Sequence, residues 1–498
     1  MPKRTIIYIL LIVIALVAII VGITLLIKPT APGEEGVRPR EFLPFPRFPR
    51  EAEEGELLPT GLPLGPAEEV VGAVAGEIRL FKITDFPVAG AGFVEKEAVT
   101  NPEEANLPAF DFTNYPNLKL GASNTAVNNL QIILNRFLTK KELALLNEDG
   151  NFNGATKEAV ILFQKEYNLT TDGAVGPKTK IALNKFQEPE VVLVPVLRFA
   201  AKNDGRIFET DVNKLESEQI TGATIPRLAE AFFGENGGVL LRYSQAGEIT
   251  TFLGKLTGEV FGQELPGTFI GNDLLGLALS PDRKNVFYLA SAALGGGVFG
   301  SVGFTLDFAT SEASKTLESA FTEWLVDWKD AIYLLTKPTF ALPGYLYKFD
   351  SKTEVLNKIL GGINGLSTLV SPNGEKILVS ASENDGLTTQ MYYISERAFS
   401  DLGLKTLPEK CVFNENSERI YCAVPKSLPG ANYPDDWYQG IVSFTDSIWQ
   451  IDASNFTTSV INDLDLEPID AINLALDSDE KNLVFTNKRD GSLWLLKI

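Results

Sequence analysis

Four stretches of this chain follow one plan. Ser280-Pro-Asp-Arg-Lys-Asn runs into VFYLA, Ser371-Pro-Asn-Gly-Glu-Lys into ILVSA, Asn414-Glu-Asn-Ser-Glu-Arg into IYCAV, and Asp477-Ser-Asp-Glu-Lys-Asn into LVFTN. Each pairs a polar turn with a short β-branched and aromatic run, the pattern of a strand leaving a tight turn. Weaker copies are Gly234-Glu-Asn-Gly-Gly before VLLRY and Val326-Asp-Trp-Lys-Asp before AIYLL. Most neighbouring copies stand about 40 to 45 residues apart, the period of a small antiparallel sheet used as a repeat. One such sheet cannot bury both faces alone, so the copies must stack on one another.

Sheets of this period arranged radially form a β-propeller. Inner strands are expected near Val88, Ala229, Leu277, Trp324, Leu366, Cys411 and Leu474, which makes seven blades, with six or eight where turns are weak. A second internal match, Ile83-Thr-Asp-Phe-Pro-Val-Ala-Gly-Ala-Gly-Phe-Val against Ile220-Thr-Gly-Ala-Thr-Ile-Pro-Arg-Leu-Ala-Glu-Ala-Phe-Phe, reads as an outer strand crossing into the next inner one. On this reading 77–94 and 191–498 form the propeller, and Glu77 to Lys82 seals the ring as the outer strand of the last blade. Closure removes unpaired edges. The turns and the ring resemble the broad WD40 and TolB-like propeller superfamily, a likeness of fold that fixes no ligand.

The first blade is interrupted. Between Asn117 and Gln187 the apolar period changes to three and four residues, beginning at Ala126-Val-Asn-Asn-Leu-Gln-Ile-Ile-Leu. Two Asp-Gly turns then open helices: Asp149-Gly-Asn-Phe-Asn-Gly-Ala-Thr156 leads into KEAVILFQKEY, and Asp172-Gly-Ala-Val-Gly-Pro-Lys-Thr179 leads into KIALNKF. Asp and Gly suit the turns, and Pro177 suits a first helical turn. Gly121, Leu130-Gln131, Asp149-Gly150, Phe152, Gly154, Thr156, Ala159-Val160, Phe163-Gln164, Asp172-Gly173, Val175-Gly176-Pro177 and Thr179 resemble the signature of the peptidoglycan-binding-like domain family. Two departures are an Asn153 read as inserted before Gly154 and a long TKKELALLN segment after the first helix.

The resemblance implies that residues 113–188 are a small three-helix unit without catalytic activity that attaches its host to wall glycan or stem peptide. Phe152, Val160, Phe163, Val175 and Leu183 are expected in its core because periodic apolar residues face inward. The exposed turn polars Asn151, Asn153 and Lys178 are candidate peptidoglycan contacts, with Gln131 and Gln164 of the signature beside them. Asp149 to Gly154 imitates half of a calcium loop, but position twelve, which should offer a bidentate carboxylate, is Val160.

Composition narrows the chemistry. With no histidine among 498 residues, the chain lacks the commonest general base and metal ligand near neutral pH. Ser-His-Asp hydrolysis, Cys-His acyl transfer and histidine zinc sites are excluded. A net charge of -20 repels phosphate polymers and anionic headgroups, so nucleic acid is not a partner. No pair of carboxylates stands out as acid and base, and no cofactor, metal or catalytic residue is assigned. The two cysteines, Cys411 and Cys422, sit symmetrically about a turn centred between Asn416 and Ser417. They form a cross-strand disulfide if they occupy a non-hydrogen-bonded pair, or else two core thiols.

The N-terminus is greasy. Thr5 to Ile27 carries no charge, and at about 1.5 Å per residue it crosses a hydrocarbon core of about 30 Å. Lys3 and Arg4 before it favour leaving residues 1–4 in the cytoplasm and everything after Lys28 outside. A cleaved signal peptide is the competing reading, disfavoured by the length of the run and the lack of a small-x-small site. Residues 28–76 are rich in Pro, Gly and Glu and read as a spacer, with Phe42-Leu-Pro-Phe-Pro-Arg-Phe-Pro as a possible docking patch.

The expected protein is therefore mainly β, a propeller with an inserted three-helix domain behind a single transmembrane helix. It acts as a membrane-anchored, extracytoplasmic wall-binding adaptor whose propeller meets an unidentified protein or ligand. Asn432-Tyr-Pro-Asp-Asp-Trp-Tyr is the longest inter-strand loop, and long loops on rigid scaffolds carry recognition, so Tyr433, Asp435 and Trp437 are the candidate partner site. Trp324, Trp328, Trp437 and Trp449 read mainly as packing between blades, with a sugar platform as the alternative. The alternative functions are a histidine-independent carbohydrate-active enzyme on wall glycan, and a propeller sensor or scaffold with a vestigial wall module.

Overall fold

The computed structural model describes residues 68–69, 79–99, 107–256, 265–383, 386–465 and 467–498. The expected anchor Thr5 to Ile27 and most of the spacer lie outside them, and among the described residues no helix is long and apolar enough to cross a membrane.

Among the described residues, seven antiparallel sheets follow one another, six with four strands and one with five. Their inner strands are Val88–Val99, Leu228–Phe233, Gly276–Leu279, Trp324–Trp328, Ser367–Val370, Cys411–Phe413 and Ala471–Leu476. The seven-blade expectation holds. In the last blade Arg79–Lys82 pairs antiparallel with Leu493–Lys497, Arg79 opposite Lys497 and Lys82 opposite Trp494. Thr84 extends the seal by accepting the Leu493 N–H at 3.0 Å.

The recurring turn has a physical cause. At its first position the side-chain oxygen of Ser280, Ser371, Asn414 or Asp477 accepts the N–H five residues on, at 2.9, 3.0, 2.9 and 3.0 Å. Three residues after that position the backbone turns left-handed, at Arg283, Gly374, Ser417 and Glu480. The turn is therefore built alike in these four blades. A second recurring turn closes the outer hairpins, where Asp211, Asp307, Asp350 and Asp452 accept the N–H two residues on. Left-handed residues follow at Leu215, Ser311, Glu354 and Phe456.

Apolar faces pack between blades. Phe81, Ile83, Val484 and Leu495 of the last blade meet Phe93, Phe199 and Phe208 of the first, while Tyr421, Ala423 and Ile448 of the sixth meet Ile469, Leu483, Phe485 and Trp494 of the seventh. Trp324, Trp437 and Trp494 are buried, so these rings serve as packing. Cys411 and Cys422 are directly paired across their hairpin, and their sulfurs are bonded.

The first blade differs from the rest. Its strand Val88–Val99 pairs with Val191–Ala201 along its whole length, from Val88 opposite Ala201 to Val99 opposite Val191. The third strand covers only Val196 to Ala200. Beyond that cover a two-stranded ribbon continues to Val99, past the expected propeller boundary at 94, and the helical residues are inserted at its end. The ribbon's root is fixed: the Arg283 guanidinium donates to the Phe93 carbonyl, Glu209 takes Lys96 and Arg198, and Ser478 donates to Glu95 at 2.8 Å.

Candidate functional site

The inserted residues form three helices, α1 (Thr125–Lys140), α2 (Gly154–Glu166) and α3 (Pro177–Phe186). Val127, Leu130, Ile133, Leu134 and Phe137 on α1 face Val160 and Phe163 on α2 and Leu183 on α3 in one core. Phe152 and Val175, from the turns, complete it. All five expected core residues are buried.

The two Asp-Gly turns are copies of each other. In the first, Gln131 donates through Nε2 to Asp149 Oδ1 at 2.9 Å and to the Asn151 carbonyl at 3.0 Å, while its Oε1 accepts the Gly150 N–H at 2.8 Å. In the second, Gln164 donates to Asp172 Oδ1 and the Ala174 carbonyl, both at 2.8 Å, and accepts the Gly173 N–H at 2.9 Å. Each Asp also accepts the N–H two residues on, at 2.9 Å. These hydrogen bonds hold both carboxyls below the usual carboxylate range, the Gln131 bond acting most on Asp149 and the Ala174 N–H most on Asp172. Gly150 and Gly173 have φ of 72° and 69°, a conformation that favours glycine. At Gly173 an added Cβ would also lie 2.7 Å from the Lys157 side chain.

This geometry corrects two expectations. Gln131 and Gln164 are buried, and their carboxamides are spent on the turns, so they position the loops and do not face a ligand. Asn153 is not an insertion. It occupies the same place before α2 as Gly176 before α3, with φ/ψ of -93°/-173° against -89°/-175°. That conformation is open to any residue, and Asn153 adds a cap by accepting the Thr156 N–H at 3.0 Å.

The remaining candidates are exposed. Asn151 accepts from Ser123 Oγ at 2.7 Å on the rim of the first turn, and Lys178 stands exposed on the first turn of α3. Leu120, Leu162 and Ile181 are exposed apolar side chains of the module. The sequence pattern does not single out Leu162 and Ile181, because an apolar residue on a helix reads as core.

The centre of the propeller loop packs inward. Between Pro425 and Asp446 the chain folds back through a short helix, α4 (Asp435–Tyr438). Tyr433 and Trp437 are buried, Trp437 Nε1 donating to Asp470 Oδ2 at 3.0 Å. Asp435 accepts from Thr339 Oγ1 at 2.9 Å and the Phe340 N–H at 2.6 Å. The loop fills a gap between blades, so these residues do not form an open partner site. Beneath it lies a charge cluster: Lys410 Nζ meets Asp446 Oδ2 at 2.8 Å and Asp470 Oδ1 at 2.5 Å, with all three side chains wholly buried. Burial pushes Asp446 up to about 6 against the pull of Lys410. Burial also acts on Asp470, but the charge of Lys410 and hydrogen bonds from Lys410, the Phe444 N–H and Trp437 Nε1 leave it below its ordinary value. Burial lowers neighbouring Lys488 to about 8.

The putative peptidoglycan binding domain family matches residues 123–183. A zinc D-Ala-D-Ala carboxypeptidase of Streptomyces albus G is 36% identical over 121 residues, which are 23% of this chain and 46% of that protein. The match thus spans less than half of its relative. Among solved structures, an oligogalacturonate lyase from Vibrio parahaemolyticus is 9% identical with a TM-score of 0.40, covering 61% of this chain and 86% of its own. The propeller domain of the Trilobed protease from Pyrococcus furiosus is 15% identical with a TM-score of 0.35, covering 52% and 78%. Neither likeness bears on activity. Residues 123–183 are a putative peptidoglycan binding domain, carried in the first blade of a seven-bladed propeller.

Proposed function

We propose that this chain is a membrane-anchored, extracytoplasmic adaptor: the helical module grips peptidoglycan, the propeller is the platform that carries it, and the apolar run from Thr5 to Ile27 holds the assembly to the membrane. The observation that carries this reading is the peptidoglycan-binding match on a module whose twin turns are internally locked, mounted on a paired ribbon. Locked turns present Asn151, Asn153 and Lys178 as a preformed surface, which lowers the ordering cost of binding. The carboxypeptidase relative carries zinc by name, whereas this chain contains no histidine. The reading is therefore of attachment without hydrolysis, and the propeller's protein or ligand partner belongs to the same proposal.

Two experiments test it. Protease shaving of intact cells should digest the acidic bulk of the chain, and its survival until lysis would overturn the topology. Incubating the intact chain with purified sacculi should release no soluble sugar or peptide; release would make it an enzyme.

A further inference from the structure

At one end of the strands lie the recurring polar turns and the ribbon that leads to the module. The opposite end bears the connections between blades and the turns joining second to third strands, and it carries a set of outward apolar side chains. Phe299 is 75% exposed, Ile441 67% and Leu342 62%, and Val298, Phe321 and Phe340 are exposed with them. Hydrogen bonds join the loops that hold them. Ser301 donates to the Phe321 carbonyl at 2.8 Å, tying the hairpin of Phe299 to the next connection. The Lys337 N–H reaches the Glu323 carbonyl at 3.0 Å, Asp435 accepts the Phe340 N–H, and the Ile441 N–H reaches the Asp436 carbonyl at 2.9 Å. The residues therefore follow one arc over the third, fourth and sixth blades.

We infer that this arc rests on a lipid bilayer surface, which it meets through apolar side chains and not through headgroup charge. The inference rests on the anchored reading above and adds an orientation to it. The described chain begins at Glu68, which is paired with Lys82 at the same end of the strands as the arc. The residues before it contain the uncharged run Thr5 to Ile27, so the tether joins the ring on the side that bears the exposed phenylalanines. Exposed apolar side chains rimmed by polar ones mark a membrane or partner surface. The net charge of -20 argues against attraction to anionic lipid, leaving apolar insertion as the means of contact. The module's ribbon leaves from the opposite end, away from the lipid.

The test uses the full chain in phosphatidylcholine proteoliposomes with brominated acyl chains. Single cysteines replace Phe299, Leu342, Ile441 or Asp479, the last on an exposed turn of the opposite end, and each carries a polarity-sensitive dye. Cys411 and Cys422 are bonded to each other and do not compete for label. The expected result is strong quenching at the first three positions and none at Asp479→Cys, unchanged by added salt and reduced at Leu342→Cys when Phe299→Ser and Ile441→Ser are introduced together. Incorporation with all four dyes equally unquenched overturns the orientation and leaves the anchor standing. Failure to incorporate overturns the anchor and this inference with it. Cross-linking of Phe299→Cys between copies would assign the arc to self-association and overturn it.

Discussion

Replacing Lys410 by methionine removes the one cation between Asp446 and Asp470 while keeping most of the side-chain volume. Both carboxylates lie wholly out of solvent. Asp446 would keep only the Ala471 N–H at 2.7 Å, and Asp470 the Phe444 N–H and Trp437 Nε1, both at 3.0 Å. Removing one partner of a buried ion pair costs about 3–5 kcal/mol because the other charge is left uncompensated. The propeller should lose about that much, read from the urea midpoint at unchanged slope. Trp437 fluorescence is a suitable probe, since Lys410 Nζ sits 5.4 Å from its ring. The triple variant Lys410→Met, Asp446→Asn, Asp470→Asn should recover part of the loss, because no uncompensated carboxylate remains buried. A loss under about 1 kcal/mol in Lys410→Met, the scale of an exposed pair, would refute the argument that this cluster holds the blade junction.

The same cluster sets a pH dependence. Lys488 titrates near 8 when folded, so from about pH 8 to its unfolded value of about 10.4 the unfolded chain binds more protons and stability should rise with pH; Lys488→Met should flatten that rise in urea titrations across the window. Asp446, raised to about 6, favours the folded state most below its unfolded value of about 3.9, and this contribution is lost as pH climbs through 6; Asp446→Asn should remove that slope. Gln131→Ala or Gln164→Ala should each destabilise the module by about 1–3 kcal/mol, the cost of orphaning buried turn groups, seen as faster amide exchange at Gly150 or Gly173. Gly90→Ala would set a Cβ 2.1 Å from the Ala231 carbonyl, and the forced separation of the first two inner strands should cost about 1–3 kcal/mol in thermal unfolding.

The blades were legible in the sequence because their turn makes a local demand. A side-chain acceptor at the first position and a left-handed residue three later leave a polar signature at Ser280, Ser371, Asn414 and Asp477. The outer turns at Asp307 and Asp452 rest on similar local chemistry, yet they leave no second repeat in the sequence because only one residue, the aspartate, is shared. The module's core could be read from its period. The role of Gln131 could not, since its partner Asp149 lies on a separate element and a signature glutamine looks the same whether it faces ligand or turn. Tyr433 and Trp437 misled for a related reason: loop length suggests recognition, but here it serves to fill a gap above Lys410 and Asp470. Arg283 reaching the Phe93 carbonyl joins residues 190 positions apart, a contact with no local trace.

Co-sedimentation with purified sacculi tests the central claim most directly. The register that pairs Val99 with Val191 allows residues 100–190 to be replaced by a tight turn, giving a propeller without the module. The account predicts that the intact chain pellets with the sacculi and that the chain lacking the module stays in the supernatant. Equal pelleting of both, or of neither, would contradict it.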